Sequence, residues 1–443
     1  YSIIIVEKIL EKIEMITLNE QYKSINTSLD ELIIDDKLKI DFIIDESEKF
    51  FVERINIFGN NITRENVIRN QLEIDEGDPF NEILMNKSIN NLKNLNFFKK
   101  VEVEERFDDN SNSKIINITV EEKATGEIMA GAGVGTSGGT ISFGIKENNY
   151  LGKGVKLTSD LTLNEDSIKG RFLVENPNYK NSDKSIKFSV QSTETNKLAD
   201  FGYKTNKTGF VLGTSFEYYD DLILGVEGES FYEKIETDST ASARQQEQKG
   251  DYFDNFINLT FDYDKRNQKF QTTDGYRSFF AAGLPLVSET NTFTNTILIN
   301  NFVEYLDDNV FKSSFYFKSA NSLSGDNIKL SERMNIPSSR LRGFEFGKVG
   351  PKDGNDYIGG NFISSLNFSS TVPQILENSQ STDFKVFLDI ANVWGVDYDS
   401  SLDISDDIRS SIGLALDWYS TIGPINFSLS QPLSKSSTDV TET

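Results

Sequence analysis

The sequence predicts small α+β domains followed by an all-β transmembrane antiparallel barrel. Three observations lead there. Ahead of Gly126 a helix–strand–strand order occurs twice, with apolar residues first at helical spacing and then at period two. From Gly126 onward helical periodicity vanishes, and segments of about ten residues alternate apolar with polar or small side chains. The longest apolar run near the start, Ile3 to Val6, is far too short for a membrane helix, so any crossing of a bilayer falls to strands.

Composition narrows the function classes. The 443 residues include no cysteine and no histidine. Disulfides, thiolate metal sites, Ser-His-Asp triads and HExxH zinc sites are thereby excluded. Paired-carboxylate hydrolysis survives that test, but no segment isolates such a pair. The expectation is a protein that is not an enzyme and holds no metal or cofactor. A net charge of −24 argues against nucleic acid as a partner, because phosphate contacts need a basic patch. Tyr1 is not an initiator methionine and no basic-then-apolar leader precedes the first element, so the chain reads as part of a longer one.

The elements follow in order. Val6, Ile9, Leu10, Ile13 and Ile16 fall on one helical face. Strands are expected over Tyr22 to Leu29 and Leu38 to Ile44, around Asp35-Asp36-Lys37. The second unit opens with a strand over Phe51 to Phe58, ended by Gly59-Asn60-Asn61. Thr63 is expected to cap a short helix running to Leu72, and Asn81 a second one with Ile83, Leu84, Ile89, Leu92 and Leu95 inward. Val101 to Phe107 and Ile115 to Val120 complete a βααββ order.

In the barrel part, Ile412, Leu414, Leu416 and Trp418 oppose Ser411, Gly413, Ala415 and Asp417. Phe311, Phe315 and Phe317 oppose Lys312, Ser314, Tyr316 and Lys318. A membrane barrel turns the polar set inward, toward its lumen. Aromatic residues near segment ends, among them Tyr218, Tyr219, Trp394 and Trp418, favour a membrane setting. Roughly fifteen such segments can be counted, joined by alternately short turns and long loops. Asn176-Pro177-Asn178 reads as short; Glu236 to Gly250 and Asn321 to Ile358 read as long.

The longest loop holds Ser339-Arg340-Leu341-Arg342-Gly343-Phe344. Leu341, Phe344, Phe346 and Val349 would gain nothing in a solvated loop, so the loop is expected to fold back into a cavity. There Arg342 needs an acidic partner and Gly343 permits a tight bend. An ordinary surface loop with a solvated arginine is an equal reading of the local sequence. Alternation over Phe384 to Asn392 puts Val386, Leu388 and Ile390 outward, which turns Asp389 inward.

Several of these stretches resemble known families. Val52 to Asn60, Glu76-Gly77-Asp78-Pro79-Phe80 and Leu92 to Phe98 resemble a POTRA domain. Asn149-Tyr150-Leu151-Gly152-Lys153-Gly154, Arg342-Gly343-Phe344 followed by Val349-Gly350-Pro351-Lys352, Phe387 to Trp394, and Ile422-Gly423-Pro424-Ile425 resemble the BamA family of outer-membrane barrel-assembly factors. Two departures stand out: Thr272 replaces a usual proline, and Asn367 stands where an acidic residue is expected, which leaves Asp389 as the partner for Arg342.

The resemblance implies the C-terminal part of a POTRA domain over 1–47, a complete last POTRA domain over 48–123, and a barrel over 124–443 with its inward loop at 321–358. The barrel would have about sixteen strands, with most of the last one beyond Thr443. It implies a bacterial outer-membrane location with the POTRA domains in the periplasm. The implied function is insertion of β-barrel precursors without catalysis, with periplasmic chaperones, accessory lipoproteins and outer-membrane lipid as further partners. Three sites go with it. Arg342, Gly343, Phe344 and Asp389 would form a loop latch. Gly126, Gly131, Gly133 and Gly135 would weaken a lateral seam where a precursor strand is templated; relief of crowding is an equal reading of those glycines. Val101, Val103 and Glu105 would lie on a POTRA edge able to pair with partners. The alternatives are a two-partner-secretion or TamA-like translocator exporting one passenger, and a passive porin, against which the POTRA-like stretch argues.

Overall fold

Residues that alternate apolar and polar gather their apolar side chains on one face only as a strand, and most of the described residues lie in strands. The structure, a computed structural model, describes residues 25–34, 37–46, 50–108, 113–135, 138–198, 202–268, 272–305, 309–372, 382–402, 407–420 and 423–442. The expected N-terminal helix lies outside them. The first two strands, β1 (Ile25–Ile34) and β2 (Lys37–Glu46), form an antiparallel pair; β1 runs past the expected end at Leu29, its expected start at Tyr22 lies outside the described residues, and β2 is slightly longer than expected at both ends.

The next stretch folds as β3 (Phe51–Phe58), α1 (Glu65–Arg69), α2 (Glu82–Asn94), β4 (Phe98–Asp108) and β5 (Ser113–Glu122). The sheet order is β3-β5-β4, with β3 parallel and β4 antiparallel to the central β5. Both helices lie over a core that includes Val52, Ile68, Met85, Leu92, Phe97 and Ile116. Asn81 caps α2 by accepting from the Leu84 amide at 3.0 Å. Thr63 caps nothing: α1 starts after Arg64, without a side-chain cap, and stops at Arg69. The Thr63 hydroxyl instead accepts from Asn149 Nδ2 at 2.9 Å, and its amide donates to Glu122 at 2.6 Å. Burial pushes the Glu122 carboxyl up, but hydrogen bonds from Thr63, Ile62 and Asn61 outweigh this and hold it below the usual carboxylate range. Asn149 lies near the end of a strand, in the stretch Glu147–Lys156 that belongs to this first compact unit. Gly152 there has φ +69°, and a Cβ on it would sit 1.9 Å from the Ile62 carbonyl oxygen.

Among the described residues, fifteen strands then form one antiparallel sheet. They are β6 (Gly126–Gly135), β7 (Gly138–Tyr150), β8 (Val155–Asn164), β9 (Ser167–Asn176), β10 (Lys184–Lys197), β11 (Tyr203–Tyr219), β12 (Leu222–Thr237), β13 (Gly250–Asp264), β14 (Gly275–Ser288), β15 (Thr292–Tyr305) and β16 (Asn309–Ser322), then, after the long loop and its two-residue strands β17 (Lys352–Asp353) and β18 (Asp356–Tyr357), β19 (Phe362–Thr371), β20 (Thr382–Trp394), β21 (Arg409–Ser420) and β22 (Gly423–Ser434). The glycine-rich stretch from Gly126 is thus one strand plus the start of the next. The turn after Asn176 is longer than expected and holds a 3-10 turn, Tyr179–Asn181. The loop after β12 carries a helix, α3 (Ala243–Glu247), closed by a capping box from Ser242 and Gln245.

Strand alternation sorts the faces. Ile412 and Leu429 are 48% and 70% exposed, while Ser411 and Ala415 are buried. The apolar set therefore faces out, as the hydrocarbon of a membrane demands. One loop, between β16 and β19, touches β12, β13 and β20 from the inside through Lys329 and Arg342. Strands that far apart in sheet order can share one loop only if the sheet curls around it.

Candidate functional site

The loop between β16 and β19 is fastened at its tip and at its root. At the tip, Leu341, Phe344 and Val349 are buried with Ile336, Ile363 and Val393. This burial orients Arg342 toward β20. Its Nε and Nη2 donate to the two oxygens of Asp389 at 2.7 and 2.8 Å, and its backbone amide adds a third bond at 3.2 Å. Asp389 is fully buried, whereas the Arg342 side chain is 21% exposed. The guanidinium carbon lies 3.3 Å from the Phe387 ring centroid, a close cation–π stack. Gly343 has φ +85°, a bend L side chains resist, and packs against Ser430 of β22.

Asn367 is part of the same arrangement. Its Nδ2 donates to Asp389 Oδ1 at 2.8 Å and to the Arg340 carbonyl at 2.7 Å. An amide there orients the carboxylate without adding a second negative charge. Gly413 of β21 has a matching steric role: a Cβ on it would fall 2.5 Å from Phe387 Cζ, so glycine leaves the space in which that ring lies under Arg342.

The root fastening was invisible in the sequence. Lys329 is buried and contacts Glu233 of β12 at 3.2 Å, Asp254 of β13, and Glu332 at 3.3 Å. Burial alone would push the Lys329 ammonium down, but Glu332, Glu233 and Asp254 together hold it above an ordinary lysine. Glu332 is raised, first by its own burial, although Lys329 and a 2.6 Å bond from Thr292 oppose this. Nearby, Arg333 pairs with Asp397 and stacks over Tyr398, whose hydroxyl is pushed up to about 12 by burial. Nothing in the loop sequence separates these residues from solvated charges; only the partners on β12, β13 and the β20–β21 loop do.

The other two residue sets lie at sheet ends. Gly126, Gly131, Gly133 and Gly135 all fall on β6, which among the described residues pairs with β7 alone. A Cβ on Gly126 or Gly131 would sit 3.3 or 3.2 Å from the side chains of Glu147 and Ser142 on β7. Val101, Val103 and Glu105 lie on β4, an outer strand of its sheet. Val101 and Val103 pack against the core and Glu105 pairs with Lys114 at 2.8 Å, so the backbone of β4 is the open feature there.

Comparison with known families identifies the chain. The Omp85 superfamily domain matches residues 149–443, well over half of it. The chain belongs to the Omp85 superfamily. The POTRA family, described as a surface antigen variable number repeat, matches residues 50–123. This Omp85 chain is similar to outer membrane protein assembly factor BamA of Neorickettsia risticii, at 24% identity over 92% of the chain and 56% of the relative. It is also similar to BamA of Nitratidesulfovibrio vulgaris, at 21% identity over 92% of the chain and 51% of the relative. The chain thus spans about half the length of these relatives. Among solved structures, BamA from Haemophilus ducreyi lacking POTRA domains 1–3 matches with TM-score 0.78 and 20% identity, covering 100% of this chain and 92% of that one. CdiB from Acinetobacter baumannii matches with TM-score 0.58 and 12% identity, covering 98% and 80%. This Omp85 protein is an outer-membrane β-barrel with a periplasmic POTRA part.

Proposed function

We propose that this protein assembles β-barrel proteins into the outer membrane, by offering the edge of β6 to a precursor strand. The observation that carries this is the joining of a POTRA domain to an Omp85 sheet whose terminal strand β6 is glycine-rich and paired on one side among the described residues. A precursor strand in lipid has unpaired amides and carbonyls that are costly to leave open. Pairing with an existing edge satisfies them one ladder step at a time. No bond is made or broken, so the process needs no catalytic group and no cofactor. Unfolded barrel precursors, the periplasmic chaperones that deliver them, accessory lipoproteins and outer-membrane lipid are the partners of this reading.

The experiment is depletion in the parent bacterium with quantitation of all outer-membrane barrels. A broad fall across unrelated barrels is expected. Loss of one exported protein, with the other barrels unchanged, would overturn assembly in favour of a single-passenger translocator. The templating step has its own test. A disulfide joining a cysteine at Gly131 to one on the closing strand of the intact barrel is expected to stop assembly until reductant is added. Continued assembly by the tethered protein would reject it.

A further inference from the structure

The segment after β22 does not run off into solvent. Residues 439–442 turn back along the loop tip and pair with it. The Glu345 amide donates to the Val440 carbonyl, the Val440 amide to the Lys348 carbonyl, and the Glu442 amide to the Gly343 carbonyl, each at 3.0 Å. Phe344 and Thr441 form an antiparallel bridge. Tyr357 Oη donates to the Thr438 carbonyl at 2.7 Å.

At the centre of the segment is an ion pair with no exposure on either side chain. Arg409 of β21 donates from Nε and Nη2 to the two oxygens of Asp439, at 2.9 and 3.2 Å. Those oxygens also accept from the Ser436 amide at 2.7 Å and the Gly350 amide at 3.1 Å. The remaining guanidinium nitrogen donates to Asn392 Oδ1 and the Asp407 carbonyl. A buried ion pair is tolerated only when its remaining hydrogen-bonding capacity is filled, and here it is. Such a pair fixes one register, because sliding the segment by a residue would strand both charges.

We infer that residues 436–442 are a strap that clamps the loop tip in place, with Arg409 and Asp439 fixing its register. The loop tip then has two independent fastenings. One is Asp389 on β20; the other is the strap, continuous with β22 and anchored on β21. Breaking the Arg342–Asp389 pair alone leaves the tip held, and its full release requires the strap to lift as well.

The chain has no cysteine, so a single introduced thiol reports cleanly. Val349→Cys places one in the buried tip at little cost in volume. In the intact protein in liposomes, its labelling rate by a membrane-impermeant maleimide reads tip opening. Asp439→Asn and Val440→Pro, which attack the strap through its charge and its backbone, are each expected to raise that rate about tenfold. Arg342→Ala combined with either should exceed both singles. Unchanged labelling in a strap variant that keeps its heat-modifiability overturns the strap. Hydrogen exchange on the unsubstituted protein decides the matter even if both variants fail to fold. Protection of the Val440 and Glu442 amides supports the strap, and free-chain exchange rates there refute it.

Discussion

Asp389 and Arg342 are unequal partners, and their mutants should show it. Asp389 is fully buried, so Arg342→Ala leaves a carboxylate with only Asn367 and the residue 342 amide to satisfy it. A loss of about 3–5 kcal/mol is expected in denaturant unfolding. Asp389→Ala leaves an arginine that still stacks on Phe387 and reaches water, so its loss should be smaller; an equal or larger one would contradict this account. Arg342→Lys keeps the charge but not the planar fork and should fall between wild type and alanine. Glu332 gives a pH signature. Its carboxyl is raised above the ordinary 4.5 by burial, against the pull of Lys329, so the folded protein binds this proton more tightly than the unfolded chain. Its contribution therefore favours folding below 4.5 and is lost as pH rises through the raised folded value. Glu332→Gln should flatten that part of the stability–pH curve, and an unaltered curve would show that the carboxyl binds its proton equally well in the folded and unfolded chain. Strand parity turned Asp389 inward, but its pairing with Arg342 came from the family resemblance, because the local sequence read equally well as a solvated loop. The role of Lys329 was not readable, because a lysine after Asp326-Asn327-Ile328 looks solvated until Glu233 and Asp254 are placed in space beside it.

Elements were legible where one periodicity ruled, and misread where a distant partner decided. The helix Glu82–Asn94 follows from Asn81 and its apolar face. Thr63 has the chemistry of a cap, but its hydroxyl is committed to Asn149, a partner that no local reading supplies. Residues 436–439 escape a local reading for the same reason, since Arg409, which holds Asp439, lies on another strand. Two glycines test how the loop element is seated. Gly343→Ala meets a left-handed backbone at φ +85° and should cost about 1–2 kcal/mol before any contact is counted. Gly413→Ala changes no loop residue, yet its Cβ would displace the Phe387 ring and meet the Leu429 carbonyl at 2.2 Å. If the ring under Arg342 matters to the latch, Gly413→Ala should, in an Asp439→Asn background where the strap is weakened, expose a thiol placed at Val349 as Arg342→Ala does in that background. A well-folded Gly413→Ala protein with an unchanged tip would remove Phe387 from the account.

At the scale of the molecule, the alternation that revealed the sheet also fixes which side meets lipid, and the two tryptophans allow a direct check. Trp418 shares the outward parity of Ile412, Leu414 and Leu416 on β21 and is 43% exposed. Trp394 closes β20, stacked on Phe362 at 5.6 Å. Register pairs Thr382 with Trp418 and Ala391 with Arg409, so the two tryptophans sit at opposite ends of neighbouring strands. Strands that span the hydrocarbon would put both rings near the two interfaces, where indole is favoured. Phe427 and Leu429, exposed on β22, would fill the apolar band between these levels. Single-tryptophan variants, Trp394→Phe and Trp418→Phe, in bilayers of brominated lipid separate the two signals. Bromine close to the headgroups should quench each remaining tryptophan more strongly than bromine near the chain ends. Stronger quenching by the deep bromines would mean the strands sit at another depth. No quenching of Trp418 at any depth would mean that the face carrying Ile412, Leu414 and Leu416 does not meet lipid, and the inward assignment of Asp389 by the same parity would need another explanation.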